Sequence, residues 1–544
     1  MMSLSAAYEA LLSLSISHLA LILIGGGLAY QVIIAAWNLS PFHPLSHIPG
    51  PRLAAATYLP EFYYDTIKYG RYTQQIKKMH EKYGPMVRIN PSEVHCADYS
   101  FIDEIYAVGG RRRNKPIHEN RGSTIQYAGF ATSDHDLHRM RRGALSKFFS
   151  RAQIGRLEPE IRVLVQRLCD KLLLESGKGQ SLDVTMAYSC FTSDTISDYC
   201  FGQSFGFLAQ DSWYPNYRAA TYAFLQTVYV FRYFPFLRHL SLAASWLSKY
   251  MSNDMALMIK TIQTDIPNQI QRTKTEREAG IVSSGKRQTV FGELLASSLP
   301  EREKSMKRIA DEAAAVLAAG TETTSWTLSV ITYHLLAQPA LLARLTAELR
   351  GAGVVCDGDD PDKQPELRPV SWTALERLPY LGAVIQEGLR LSYGVSARTA
   401  RVATHEDLVY RGEWAPQGRE GPVQRLEYVI PRGYAVGMSS AISHHDEGVW
   451  PDSHAFVPER WLDDRMQRRK ELERCQLAFS KGSRACIGMQ LAYCELHLCL
   501  AALALRVIPR MRLYETTELD VRYDHDMFVP LTHKNSKGVR VLVE

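Results

Sequence analysis

F-S-K-G-S-R-A-C-I-G, residues Phe479 to Gly488, is the stretch on which the reading turns. Gly482 permits a tight turn. Cys486 stands at the mouth of a helical stretch, about Met489 to Val507. The open N–H groups of a helix start carry partial positive charge and lower a thiol's pKa. Arg484, two residues away, adds a full charge. A cysteine so placed is expected to be a thiolate, suited to ligate a metal or to attack. The other eight cysteines form no C-x-x-C pair and no disulfide framework, and read as free thiols of a reducing compartment.

Three further patterns stand outside this loop. Glu387-Gly388-Leu389-Arg390 lies in a helical stretch opened by Pro379, and a spacing of three puts acid and base on one face. A second guanidinium, Arg460, comes from A-F-V-P-E-R-W. A-A-G-T-E-T-T-S, Ala318 to Ser325, sets a glycine and four hydroxyls inside the longest helical stretch, a locally poor choice that points to function. H-R-M-R-R begins at His138, and S-A-R-T-A-R-V holds Arg398 and Arg401.

Together these resemble the cytochrome P-450 family. Phe479, Gly482, Arg484, Cys486 and Gly488 match all five fixed positions of its haem-loop pattern. The resemblance implies haem b as cofactor, with Cys486 as the axial iron ligand, Phe479 beside the sulfur and Arg484 on a haem propionate. It makes Glu387, Arg390 and Arg460 a structural lock behind the loop. Ala319, Gly320, Glu322, Thr323 and Thr324 match the family's oxygen-activation motif. Gly320 would open the helix for O₂, Thr323 and Glu322 would relay protons, and helical geometry turns Glu322 towards solvent. His138 takes a position where the family often has Trp, with Arg142 four residues on. Arg401 is the second expected propionate partner, with Arg398 as the alternative. I-P-G-P, L-R-L-S-Y-G-V-S-A-R and G-G-R-R-R-N-K look most like fungal secondary-metabolism members, including the trichodiene-oxygenase-like group. The implied fold is mainly α with small β-sheets.

Composition agrees. Hydrophobic residues are 46% and charged residues 22% of 544, which excludes a disordered chain, a collagen-like fibre and a multi-span membrane protein. A net charge of +6 with no interleaved basic and aromatic pattern excludes a nucleic-acid partner. Leu11 to Trp37 is apolar, and Arg52 is the first positive charge. Residues 1–37 are therefore expected to be an uncleaved single-span anchor, 38–54 a stiff Pro-rich hinge and 55–544 the catalytic domain. The positive-inside rule puts the body in the cytosol, and the microsomal resemblance puts the anchor in the endoplasmic reticulum membrane. Asn38-Leu39-Ser40 is a formal sequon that would then stay bare.

Helical periodicity covers Ile154–Leu174 and Leu295–Ala337, the latter about 60 Å if continuous. Asn90-Pro91-Ser92 divides a hairpin, β-like pieces recur near Leu408–Tyr410, Tyr428–Ile430 and Val539–Val543, and Cys356–Pro369 reads as a surface loop. No G-x-G-x-x-G marks a nicotinamide site and no flavin-binding half is appended, so electrons are expected from a separate NADPH-cytochrome P-450 reductase. The expected activity is insertion of one oxygen atom from O₂ into an apolar small molecule, a terpenoid or other fungal intermediate. The rivals are an isomerase or dehydratase of the same fold that does not use O₂, and a non-enzymatic haem-binding protein.

Overall fold

The computed structural model describes residues 15–243, 248–278, 289–357, 366–368, 370–415 and 422–544. Helix α1, Ile16–Leu39, is capped by Ser15. Its stretch Ser17–Leu39 has a mean hydropathy of 2.1 and, Asn38 apart, is unburied, so it is a candidate membrane anchor. The helix Met489–Arg510 is nearly as apolar, but 83% of it is buried, which makes it a core element.

The Pro-rich segment after α1 is not a stiff extended spacer. It folds in turns, and Leu45 and Ile48 enter the core. Asn38 is buried and donates its side-chain amide to Ala56 O at 2.9 Å, while Arg88 donates to Asn38 O at 3.0 Å. Buried backbone polar groups need partners, and these bonds and turns supply them. They also bury the sequon's acceptor amide.

The elements that position the site follow in chain order. Strands β1 (Met86–Asn90) and β2 (Glu93–Cys96) form the expected antiparallel hairpin. Then come β3 (Arg113–Asn114), α2 (His135–Ser146), α3 (Arg151–Leu173), α4 (Val184–Phe201), α5 (Tyr217–Tyr233), α6 (Met306–Ala337), α7 (Pro379–Ser392), β4 (Arg401–Ala403), β5 (Ala435–Gly437), α8 (Met489–Arg506), β6 (His525–Met527) and β7 (Val529–Leu531). One sheet runs β1–β2–β5–β4–β3, with β5 parallel to β2 and antiparallel to β4. The remaining β-like pieces pair as Leu408–Trp414 with Gln424–Ile430 and as Arg540–Val543 with Met511–Leu513. The loop 356–369 lies partly outside the described residues, and Cys356–Asp357 pairs with Glu366–Leu367.

The long helix is shorter than its periodicity. Pro300 lacks an N–H, and the chain breaks there into a short helix Val290–Ala296, a 3-10 turn Glu301–Lys304 and α6. At 32 residues α6 still spans about 48 Å and runs through the core. Neighbours approach it where side chains are missing. A Cβ on Gly388 of α7 would lie 2.3 Å from Ile331 Cγ1, and one on Gly320 would lie 2.8 Å from Ile196 Cγ1 of α4. The α4 face is rich in hydroxyls: Thr192 donates to Thr321 O at 2.7 Å, and Tyr188 Oη meets Thr332 Oγ1 at 2.9 Å.

Candidate functional site

The loop before α8 is a closed turn. Gly482 has φ +73°, and a Cβ there would sit 2.2 Å from Tyr106 O, so both conformation and space demand glycine. Cys486 N–H donates to Phe479 O at 2.8 Å and closes the loop. The Phe479 ring lies 5.2 Å from that of Tyr493 on α8. Gly488 caps α8, and its N–H reaches the Cys486 thiol. Protein surrounds Cys486 densely, yet its side chain is exposed: it lines an internal cleft rather than the outer surface.

The electrostatics correct one expectation. Burial pushes the Cys486 thiol up from its ordinary value, while the Gly488 N–H and the Arg142 guanidinium pull it down. Arg142, which donates to Ala485 O at 2.7 Å, is the cation that acts on the thiol. Arg484 is turned away, onto the carbonyls of Thr132 and Ser133, both at 2.7 Å, and of Arg113 at 3.2 Å. The thiolate state therefore needs a coordinating cation, which deprotonates a thiol outright.

Several positive groups converge near the loop. Arg401 donates to Ala400 O at 2.9 Å and Ser480 Oγ at 3.2 Å, and Lys115 donates to Phe130 O at 2.7 Å. Burial lowers Arg142 and Arg401, lowers Lys115 well below its ordinary value and brings Arg484 to about 9. His138, buried on α2 among Arg484, Arg142 and Lys115, is lowered to about 2 and is neutral. Among the described residues none of the four cations is ion-paired with a carboxylate. Arg398 differs: it is paired with Asp65 at 2.8 Å and Glu61 at 3.1 Å. Of the two arginines in S-A-R-T-A-R-V, Arg401 is thus the one free to meet an outside carboxylate.

On α6, Thr323 donates its hydroxyl to Ala319 O at 2.9 Å. Ala319 is exposed and Thr323 half-exposed in the middle of a core helix, so this face borders an internal opening. The bare side of Gly320 faces Ile196, and the helix is α-helical through it. Glu322 does not turn to solvent. The α5 helix covers it, Arg218 Nη1 lies 2.8 Å from its Oε1, and Tyr222 donates to the same oxygen at 2.5 Å. Burial raises the Glu322 carboxyl, Arg218 opposes the rise, and Oε2 has no partner among the described residues. Thr324 is buried against Glu495, whose carboxyl burial raises to about 8.

The lock is complete and dry. Arg390 grips Glu387 through two bonds of 2.9 and 2.8 Å, and both residues are fully buried. Glu387 also accepts from Arg460 Nε at 3.0 Å, Trp461 Nε1 at 2.9 Å and Val457 N at 2.9 Å. These partners hold Glu387 below its ordinary value against burial. Arg141, whose charge could have served the outer face, is instead buried against Glu303 at 2.7 Å.

Sequence reasoning missed Lys115, Arg218 and Tyr222. Lys115 ends G-G-R-R-R-N-K, where a run of cations was visible but not its inward turn. Arg218 and Tyr222 sit four apart on α5 in no recognisable pattern.

An open thiol at the start of α8, an open face on neighbouring α6 and a cation cluster without carboxylate ion pairs among the described residues fit a flat metal macrocycle bearing two carboxylates. Cys486 would hold the iron, and Arg142, Arg401, Arg484, His138 and Lys115 surround the place for the carboxylates. Comparison with known proteins gives the same answer. The cytochrome P-450 family model matches residues 57–506. A cytochrome P-450 monooxygenase of Metarhizium majus is 40% identical over 474 residues, covering 84% of this chain and 94% of that protein. An N-acetyltryptophan 6-hydroxylase of Emericella nidulans is 35% identical, covering 95% and 96%. A tryptophan 6-hydroxylase of Fusarium equiseti is 35% identical, covering 92% and 93%. Residue geometry and kinship agree that this chain belongs to the cytochrome P-450 family and is a haem-dependent monooxygenase.

Proposed function

We propose that the protein hydroxylates an apolar small molecule of fungal secondary metabolism, with electrons from a separate NADPH-dependent reductase. Haem, when bound, supplies reductive activation of O₂ and transfer of one oxygen atom. Cys486 would hold the iron, its loop steadied by the Phe479 carbonyl and the Gly488 N–H. Thr323 offers a hydroxyl at the opening, its proton resting on Ala319 O. Glu322 Oε2 is the atom that takes and returns a proton, since Oε1 is occupied by Arg218 and Tyr222. The carrying observation is the cluster of Lys115, Arg142, Arg401 and Arg484, none of them ion-paired with a carboxylate among the described residues, beside an exposed, deeply set thiol.

Helix α1 would anchor the body to the endoplasmic reticulum membrane on its cytosolic side. The retained Glu322-Thr323 pair favours oxygen chemistry over an O₂-independent isomerase. One observation favours a flat aromatic substrate over a terpenoid. Phe130 and Phe528 meet edge to face at 5.5 Å, Tyr127 and Phe130 are each 47% exposed, and two relatives are named as hydroxylases of tryptophan or its acetyl derivative. The test is a product assay with the reductase, NADPH and ¹⁸O₂ on a cell extract and on N-acetyltryptophan, read by mass. A labelled product supports the reading. Turnover without label incorporation refutes it.

A further inference from the structure

We infer that His444 is a positioning residue that seats the thiol loop on the Glu387–Arg390 lock. The inference rests on the reading of Cys486 as iron ligand and goes beyond it to how that ligand is held in place.

His444 is fully buried and both ring nitrogens are used. Nδ1 lies 2.7 Å from Arg390 O, and Leu477 N–H donates to Nε2 at 2.9 Å. A carbonyl can only accept, so Nδ1 carries the proton and Nε2 is bare. Burial lowers the imidazole to about 3, so this tautomer persists through the working range. The grip on the lock is mutual, because Arg390 Nη1 donates to His444 O at 2.9 Å. The Tyr393 ring stacks beside the imidazole at 6.1 Å.

Leu477 is the base of the thiol loop. Its carbonyl accepts Ser480 N–H at 2.8 Å, and two residues on, Phe479 O accepts Cys486 N–H. Next to it, Gln476 donates to Gln386 O on α7 at 3.1 Å. The loop entrance is thus pinned to α7 at two adjacent residues. Only the His444 bond runs to the backbone of the residue that grips Glu387. Motif matching passes over His444 because Arg460 supplies the expected third member of the lock.

The test compares His444→Asn with His444→Gln in the full-length haem-loaded protein. Asn places an amide donor near Nδ1 and can keep Arg390 O, but stops short of Leu477. Gln carries its oxygen to the Nε2 position and can accept from Leu477 N–H. A lost buried hydrogen bond shifts the seated-to-unseated balance of the loop roughly 5- to 100-fold. His444→Asn should therefore lose the long-wavelength band of the reduced CO complex and shift the haem reduction potential. His444→Gln should keep both near wild type at a similar melting temperature. Two results would overturn the inference: Asn and Gln variants that both keep the band and potential, or that fall together in band, potential and melting temperature. Failure of the underlying reading looks different, since wild type itself would then lack the long-wavelength band.

Discussion

Replacing Arg218 by Met tests whether Glu322 is held as a carboxylate. The Arg218 guanidinium lies beside the Tyr222 and Trp326 rings and donates to Glu322, and Met keeps an apolar chain while removing the charge and those contacts. At 2.8 Å the pair interacts by about 6 kcal/mol at an effective dielectric of about 20, some four decades of proton affinity. Burial already raises Glu322 above its ordinary 4.5, and Arg218 is the largest opposing influence. Without it the carboxyl stays protonated to much higher pH. The sign follows from linkage. Between the unfolded value of 4.5 and the folded one, the native state holds a proton that the unfolded state has released, so stability falls as pH rises, by about 1.4 kcal/mol per unit. In Arg218→Met this window extends to higher pH than in wild type. Over the pH interval where Glu322 is ionised in wild type and protonated in the variant, the variant should lose about 1.4 kcal/mol per pH unit more than wild type. Urea unfolding at several pH values measures this, and the other titrating groups cancel in the difference. Product per NADPH should fall as well, because a carboxyl that stays protonated cannot take up the next proton. Parallel stability curves for the two proteins would refute the argument, since Glu322 would then be neutral even beside Arg218.

Five further outcomes are expected. Cys486→Ala should abolish the long-wavelength CO band, and loss of any other single cysteine should leave it, as read by difference spectra. Thr323→Ala should keep haem content and substrate spin shift but release more hydrogen peroxide per NADPH. Thr324→Ala, buried against Glu495, should change melting temperature rather than that ratio. Deleting residues 1–36 should free the protein from membranes with its melting temperature kept, whereas deleting 1–40 should also lower melting, because the bonds of Asn38 to Ala56 and Arg88 are lost with it. Reversing charge at exposed Arg139 together with Lys481 should slow reduction at low salt and flatten its salt dependence in stopped-flow measurements, while Arg141, tied to Glu303, plays no part.

What could be read from the chain and what could not divide along a physical line. Cys486, Gly482 and the Glu387–Arg390 pair are legible because each acts within a few residues of itself: a turn that only glycine can make, a helix start, a spacing of three. Pro300 is equally local, yet the periodicity over Leu295–Ala337 runs through it, and the break follows from its missing N–H. The environment of Glu322 was not local. Helical geometry gives the direction of its side chain, but whether that direction meets water or Arg218 depends on α5, a hundred residues earlier. The same holds for Arg484, whose charge stands beside Cys486 in sequence but whose guanidinium is spent on Thr132 and Ser133. Adjacency along the chain misassigned the cation, and Arg142, from another helix, took that place. Charge in this site is thus a property of packing, and the sequence expresses it as unremarkable cations, Lys115 among them, that become a site only when packing leaves them without a carboxylate ion pair. That asymmetry is what the haem carboxylates would balance. It follows that Lys115, Arg142 and Arg401 should be easier to replace in pairs with neutral residues in the haem-free chain than in the loaded one. Removing buried like charges relieves the apoprotein, while the holoprotein loses a counter-charge.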